Sequence, residues 1–150
     1  MNESIIAKTA VILGVALLLA PTAWARSHEQ AVFKYVAGTE SMAKGCKGKL
    51  EVTASNLIFK CAQHSLTVPY PAIAQMEFQH QVSKKIRKMK LAWAIKPTSA
   101  RSKHQGFFSV LYSEKGQTRA IILQTRDETM RPYMAEIDLK TGLPIESRQD

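Results

Sequence analysis

Pro69 and Pro71 sit two residues apart in the stretch 67–78, Thr-Val-Pro-Tyr-Pro-Ala-Ile-Ala-Gln-Met-Glu-Phe. Each removes a backbone donor, so no central strand can run through them. Leu66 and Val68 alternate with polar neighbours before the break. Beyond it, Ala74, Met76 and Phe78 share one parity and Gln75, Glu77 and Gln79 the other. A period of two on both sides predicts strand, tight turn with Ile73 facing inward, strand.

Short apolar segments of the same kind flank this stretch. Residues 31–37 alternate Phe33 and Tyr35 against Val32 and Val36. Residues 47–53 and 57–61 read as a hairpin about Ala54-Ser-Asn56. Pairing Val52 with Leu57 brings Leu50 opposite Phe59 on the core face. Cys46 and Cys61 have the parity of that face and lie one diagonal step apart. A Cys46–Cys61 disulfide is therefore expected; the alternative is two free buried thiols. Residues 107–113 and 118–125 form a last hairpin across Glu114-Lys-Gly-Gln117, with Phe108, Val110 and Tyr112 on one face. Between these units, 83–97 is ambiguous. A strand over 88–96 gathers Met89, Leu91, Trp93 and Ile95 on one face opposite Lys88, Lys90 and Lys96, whereas a helix strands Leu91 and Ile95. The strand is the better fit. The tail is a helix: Met130, Tyr133, Met134 and Ile137 recur at helical spacing. Pro132 places its start near Glu128 or Thr129, with Thr129 as a cap. Gly142 is a left-handed stop that lets Leu143 fold back on Ile137, and Pro144 prevents continuation.

Residues 1–25 read as a secretory signal. Lys8 is its positive end, Ala10 to Ala20 its apolar run, and Ala23-Trp24-Ala25 a small-x-small cleavage signature before Arg26. An uncleaved anchor is the alternative, helped by Trp24. The expected location is periplasmic or secreted. Lys8 and Glu3 cancel, so the remaining chain keeps the net charge of +9. That charge attracts anionic headgroups or acidic proteins over long range, and export argues against nucleic acid.

The cations are concentrated. Lys84, Lys85, Arg87, Lys88, Lys90, Lys96, Arg101 and Lys103 fall with no acid between Glu77 and Glu114. They read either as an anion-binding surface or as a solvated face that keeps a sheet edge from aggregating. Catalytic and metal signatures are missing. His28, His64, His80 and His104 form no ligand-spaced pair, Cys61-Ala-Gln-His64 supplies two ligands at most, and no G-x-S-x-G stands in the chain. No enzymatic activity, metal or cofactor is expected.

The order of about seven short antiparallel strands followed by one amphipathic helix resembles a PH-like split barrel. Val68-Pro-Tyr70, Ile73 and Met76-Glu-Phe78 resemble the strand-turn-strand signature of bacterial PH-like and GRAM-like domains. Tyr35-Val-Ala-Gly-Thr39, Gly48-Lys-Leu50 and Leu57-Ile-Phe59 resemble the start of small bacterial members. The resemblance spans roughly 32–145 and implies one PH-like domain over 26–150, mainly β, with the helix plugging one end. It also implies that loops at the other end, 38–47, 82–88 and 97–105, meet lipids or peptides. Lys44, Lys47 and Lys49 loosely resemble the basic first loop of phosphoinositide-binding PH domains, without its closing arginine. The anion- or lipid-binding candidates are thus Lys44, Lys47, Lys84, Lys85, Arg87, Lys88, Arg101 and Lys103. The expected function is a non-enzymatic binding module in peripheral contact with an anionic envelope surface or an acidic protein. The alternative is a peptide-interaction module using an exposed strand edge.

Overall fold

The structure, a computed structural model, describes residues 31–94 and 104–148. The signal segment 1–25, the entry 26–30, Ile95, Lys96, Arg101 and Lys103 lie outside the described residues. Eight strands form one mixed sheet: β1 (Phe33–Gly38), β2 (Lys47–Val52), β3 (Asn56–Cys61), β4 (His64–Pro69), β5 (Ile73–Gln79), β6 (Gln105–Glu114), β7 (Gln117–Arg126) and β8 (Ile145–Arg148). The α-helices among the described residues are the single turn α1 (Lys84–Arg87) and the long α2 (Asp127–Thr141). The strand order is β4-β3-β2-β1-β7-β6-β5-β8. All pairs are antiparallel except β5 with β8. The sheet is open, with β4 and β8 as its edges.

The β2–β3 register pairs Val52 with Leu57 and Leu50 with Phe59, as the alternation predicts. Cys46 and Cys61 are bonded, with Cα atoms 6.0 Å apart. Gly48 is required beside this bond for space. A Cβ there would lie 2.0 Å from the Lys60 carbonyl oxygen and 2.7 Å from Cys61 Cβ. The double-proline break folds as one 3₁₀ turn, Tyr70–Ala72, in which the Ile73 N–H donates to the Tyr70 carbonyl. Ile73 is buried, as expected.

The sheet curls around its inner face. Phe33, Tyr35, Leu50, Leu57, Phe59, Val68, Met76, Phe108, Val110, Ile121 and Leu123 form one cluster with Met130 and Ile137 of α2. Residues of β2–β4 and of β6–β7 line one small apolar hollow, so the two halves of the sheet face each other. Tyr133 and Met134 join from α2, and the Tyr133 ring meets Phe33 edge-on at 5.0 Å. Each fully buried aliphatic side chain contributes about 1.5–3 kcal/mol, which ties α2 firmly to the sheet.

The other face of β1, β7 and β6 is also buried. Val36, Ala37, Phe107, Leu111, Ala120 and Ile122 pack under Val82 and Ile86, with Met89, Leu91 and Trp93 alongside. Here the expected strand over 88–96 is corrected. Residues 84–87 are helical and 88–94 form no strand. Both edges of β1, beside which the segment lies, are taken by β2 and β7, so it finds no ladder there. It crosses the sheet face instead, fixed by one bond from the Ala94 N–H to the Val36 carbonyl at 2.7 Å. The expected apolar side of Met89, Leu91 and Trp93 survives as packing without the strand.

Three smaller expectations are corrected as well. Ala74 is exposed, because the β5–β6 register shifts between Ile73 and Gln75 and makes Ala74 the extra residue of a bulge. Pro132 lies in the second turn of α2, since the helix starts at Asp127 with Arg126 at the cap position, not Thr129. The Asp127 N–H is already satisfied by the His104 carbonyl at 3.0 Å. Pro132 is on the exposed side, where water can solvate the carbonyl it leaves unbonded. Gly142 does end the helix with φ 66°, its N–H bonded to the Asp138 carbonyl. Beyond it, β8 adds a strand that the sequence pattern did not announce.

Candidate functional site

The segment 82–94 acts as a lid because its two sides differ. Val82 and Ile86, four residues apart, point at the sheet and are buried. Lys84, Lys85, Arg87, Lys88 and Lys90 are exposed on the other side. No acid faces them from the lid itself. The Lys85 ammonium donates to Gln75 Oε1 at 2.6 Å. The Ser83 N–H donates to Glu77 Oε1 at 3.2 Å. Glu77 is only 2% exposed and sits opposite Ser109 on the neighbouring strand. The hydroxyls of Ser83 and Ser109 are buried without a partner among the described residues. A buried unpaired polar group costs about 1–3 kcal/mol, so side-chain packing holds the lid more than hydrogen bonding does.

A second set of cations lies on the same side of the sheet. Lys34 of β1 and Lys47 of β2 are cross-strand partners, and Gln124 of β7 continues the row. Arg126 follows two residues later with the parity of Gln124. Lys49 and Lys60 pair beyond, where Lys60 meets Glu51 at 2.8 Å. Lys34, Lys47, Gln105, Gln124, Arg126 and Thr129 line a groove of about 230 Å³. The Ala94–Val36 bond brings the end of the lid within two residues of Lys34.

The structure therefore brings Lys47, Lys84, Lys85, Arg87 and Lys88 to one side of the sheet. Lys44 is exposed in the loop between β1 and β2. That loop is pinned by an acid: the Tyr112 hydroxyl donates to Glu40 Oε1 at 2.8 Å, and Arg119 Nη1 lies 3.6 Å from the same oxygen. Burial first, then the Glu40 hydrogen bond and charge, push the Tyr112 hydroxyl well above the ordinary tyrosine range. Lys34 and Arg126 were missed by sequence reasoning. Lys34 stands between Phe33 and Tyr35, and Arg126 is followed by Asp127 and Glu128, so neither belongs to a basic run, and only the β1–β2–β7 register assembles them.

A second cavity, about 180 Å³, opens between β5, β8 and α2 and is lined by Phe78, His80, Asp127, Arg131, Met134 and Ser147. His80 Nδ1 lies 3.0 Å from the Gln105 carbonyl, an acceptor, so Nδ1 carries the proton. Its Nε2 is 4.0 Å from Asp127 Oδ2. Such a site can orient a polar group over an apolar floor. No hydrogen bond among the described residues joins Ser147 to His80. No group of three or more His, Cys, Asp or Glu able to hold a metal occurs among the described residues. No helix among them is long and apolar enough to cross a membrane. The disulfide is compatible with an extracellular or periplasmic location. No protein-family model matches the chain, and no curated protein matches it.

Proposed function

We propose that this chain is an exported, non-enzymatic binding module of PH-like build that associates with an anionic envelope surface or an acidic partner through its basic side. The carrying observation is the lid. Its five exposed cations stand over a buried apolar underside, so the charges attract while the apolar groups are already used. Association of that kind is reversible and salt-sensitive, each near-surface cation contributing about 1 kcal/mol. The PH-like reading draws support from the antiparallel meander β1–β4 and from α2 plugging the curled sheet. Export is supported by the signal-like segment 1–25 and by the disulfide.

The test is co-sedimentation of the chain from Arg26 onward with phosphatidylglycerol-containing vesicles and with neutral vesicles. Binding to the anionic vesicles at low salt is expected, falling steeply as ionic strength rises. Changing Lys84, Lys85, Arg87 and Lys88 to Gln should strip the protein from them and shift stability by no more than about 0.5 kcal/mol. A wild-type protein that ignores anionic vesicles at low salt sinks the reading. Peptide recognition would then come forward, favoured by the free β4 edge with its exposed His64, Ser65 and Thr67. Strand addition would be nearly indifferent to salt.

A further inference from the structure

Lys34 and Lys47 face each other directly across β1 and β2. Like charges in that position destabilise a sheet. The neighbouring pair, Lys49 with Lys60, is offset by Glu51. Lys34 and Lys47 have no carboxylate partner among the described residues. Arg126 stands on the same side, 46% exposed, its Nη1 3.1 Å from Glu128 Oε1. The groove thus holds two ammonium groups without a carboxylate partner among the described residues, beside an arginine held by partners of its own. The groove is concave, and its 230 Å³ exceeds the share of one water, about 30 Å³, several-fold. Gln105, Gln124 and Thr129 add neutral hydrogen-bonding groups to the lining.

The geometry points to a phosphate site: the groove holds the phosphate group of an ester, with Lys34 and Lys47 supplying charge and Arg126 closing one side. A phosphate group, singly negative in a diester and doubly negative in a monoester, answers the two ammonium charges, and its oxygens accept from ammonium and amide donors. Bound there, it replaces the lysine repulsion with two attractions. This inference rests on the proposed anion-binding function and assigns its headgroup site, since groove and lid share one side of the sheet. The same chemistry is offered by a phospholipid headgroup and by a soluble phosphate ester. The site consists of strand residues and the start of α2, so it is preformed and needs no loop closure.

The experiment compares three proteins: wild type, a Lys34→Gln/Lys47→Gln variant, and the lid variant with Gln at 84, 85, 87 and 88. Each is titrated with glycerol 3-phosphate by calorimetry at about 0.15 M salt, and with phosphatidylglycerol vesicles at low salt by sedimentation. The groove variant should bind the ester about ten-fold more weakly or worse, since two charge-assisted contacts are lost. At about 0.15 M salt, charges more than about 8 Å away are screened, so the lid variant should stay within about two-fold of wild type for the ester. Thermal melting checks the fold, and the groove variant should melt no lower than wild type because a repulsion has been removed. If vesicle binding falls in the groove variant too, the headgroup is the source. If the ester binds and wild type ignores vesicles, the site stands with a soluble source and the surface reading fails. Vesicle binding by wild type with ester binding unaffected in the groove variant overturns the site and leaves the surface reading intact. A wild type that binds neither probe overturns both.

Discussion

A hydrogen atom at Gly48 lets β2 approach β3 closely enough for Cys46 and Cys61 to join. The bond closes a loop with a sequence separation of 15, worth about 3 kcal/mol in the chain-entropy account. Cys46→Ser and Cys61→Ser should each lower the denaturation free energy by about 2–5 kcal/mol, and the double variant little further, since one bond is lost in every case. Chemical denaturation of the three proteins checks this; additive losses would contradict it. The pairing was legible in the sequence because a hairpin with period-two alternation fixes parity, and parity placed both sulfurs on the Leu50–Phe59 side. Ala74 was not legible in the same way. A bulge inserts one residue and reverses the parity of all that precedes it, and nothing in Ile-Ala-Gln announces one.

Among the elements, α2 and the lid mark the two limits of what patterning reveals. Four apolar residues at helical spacing identified the inner stripe of α2, because an isolated helix must bury such a stripe. Ile137 is fully buried in the main core, so Ile137→Ala should cost about 2–5 kcal/mol. Thermal melting reads that loss, and a change below about 0.5 kcal/mol would mean that α2 is an accessory to the sheet rather than its plug. The lid showed a period of two and still formed no strand. Alternation reports which side chains are buried; a strand also needs a partner edge, and that depends on the whole sheet. Lys47 was a candidate from its basic loop, but its meeting with Lys34 and Arg126 was hidden for the same reason. Their meeting depends on how β1 pairs with β2 and β7, across a loop and across most of the chain. The short β8 had no apolar repeat to show, and its place beside β5 is fixed by where α2 delivers it.

At the scale of the molecule, all four tyrosines carry hydroxyls pushed above their ordinary range. Burial is the first cause for Tyr35, Tyr70, Tyr112 and Tyr133; the Glu40 charge adds to it at Tyr35 and Tyr112, and Glu136 at Tyr70 and Tyr133, while Lys140 works the other way at Tyr70. Above the ordinary tyrosine pKa of about 10, the unfolded chain gives up protons that the folded chain retains. The tyrosines' contribution is therefore intact below about pH 10 and declines as pH rises toward the folded values. Denaturant midpoints should stay level with respect to these groups up to about pH 9 and fall beyond about pH 10, and Tyr112→Phe should lessen the fall. A tyrosinate absorbance titration in which native and denatured protein coincide would contradict it.

The strand order also sets a timetable for folding. The meander β2-β3-β4 joins neighbours in sequence and contains the whole span between the cysteines. Local contacts of this kind close quickly, because little chain must be brought together. β1 reaches β2 across one loop, but its other edge must wait for β7, as β5 must for β8, each separated from that partner by much of the chain. Until those distant pairings are made, the inner cluster has walls from one half of the sheet only, and α2 has no seat. The disulfide hairpin is thus the part of the sheet that local contacts alone can assemble, while the rest depends on pairings between distant parts of the chain.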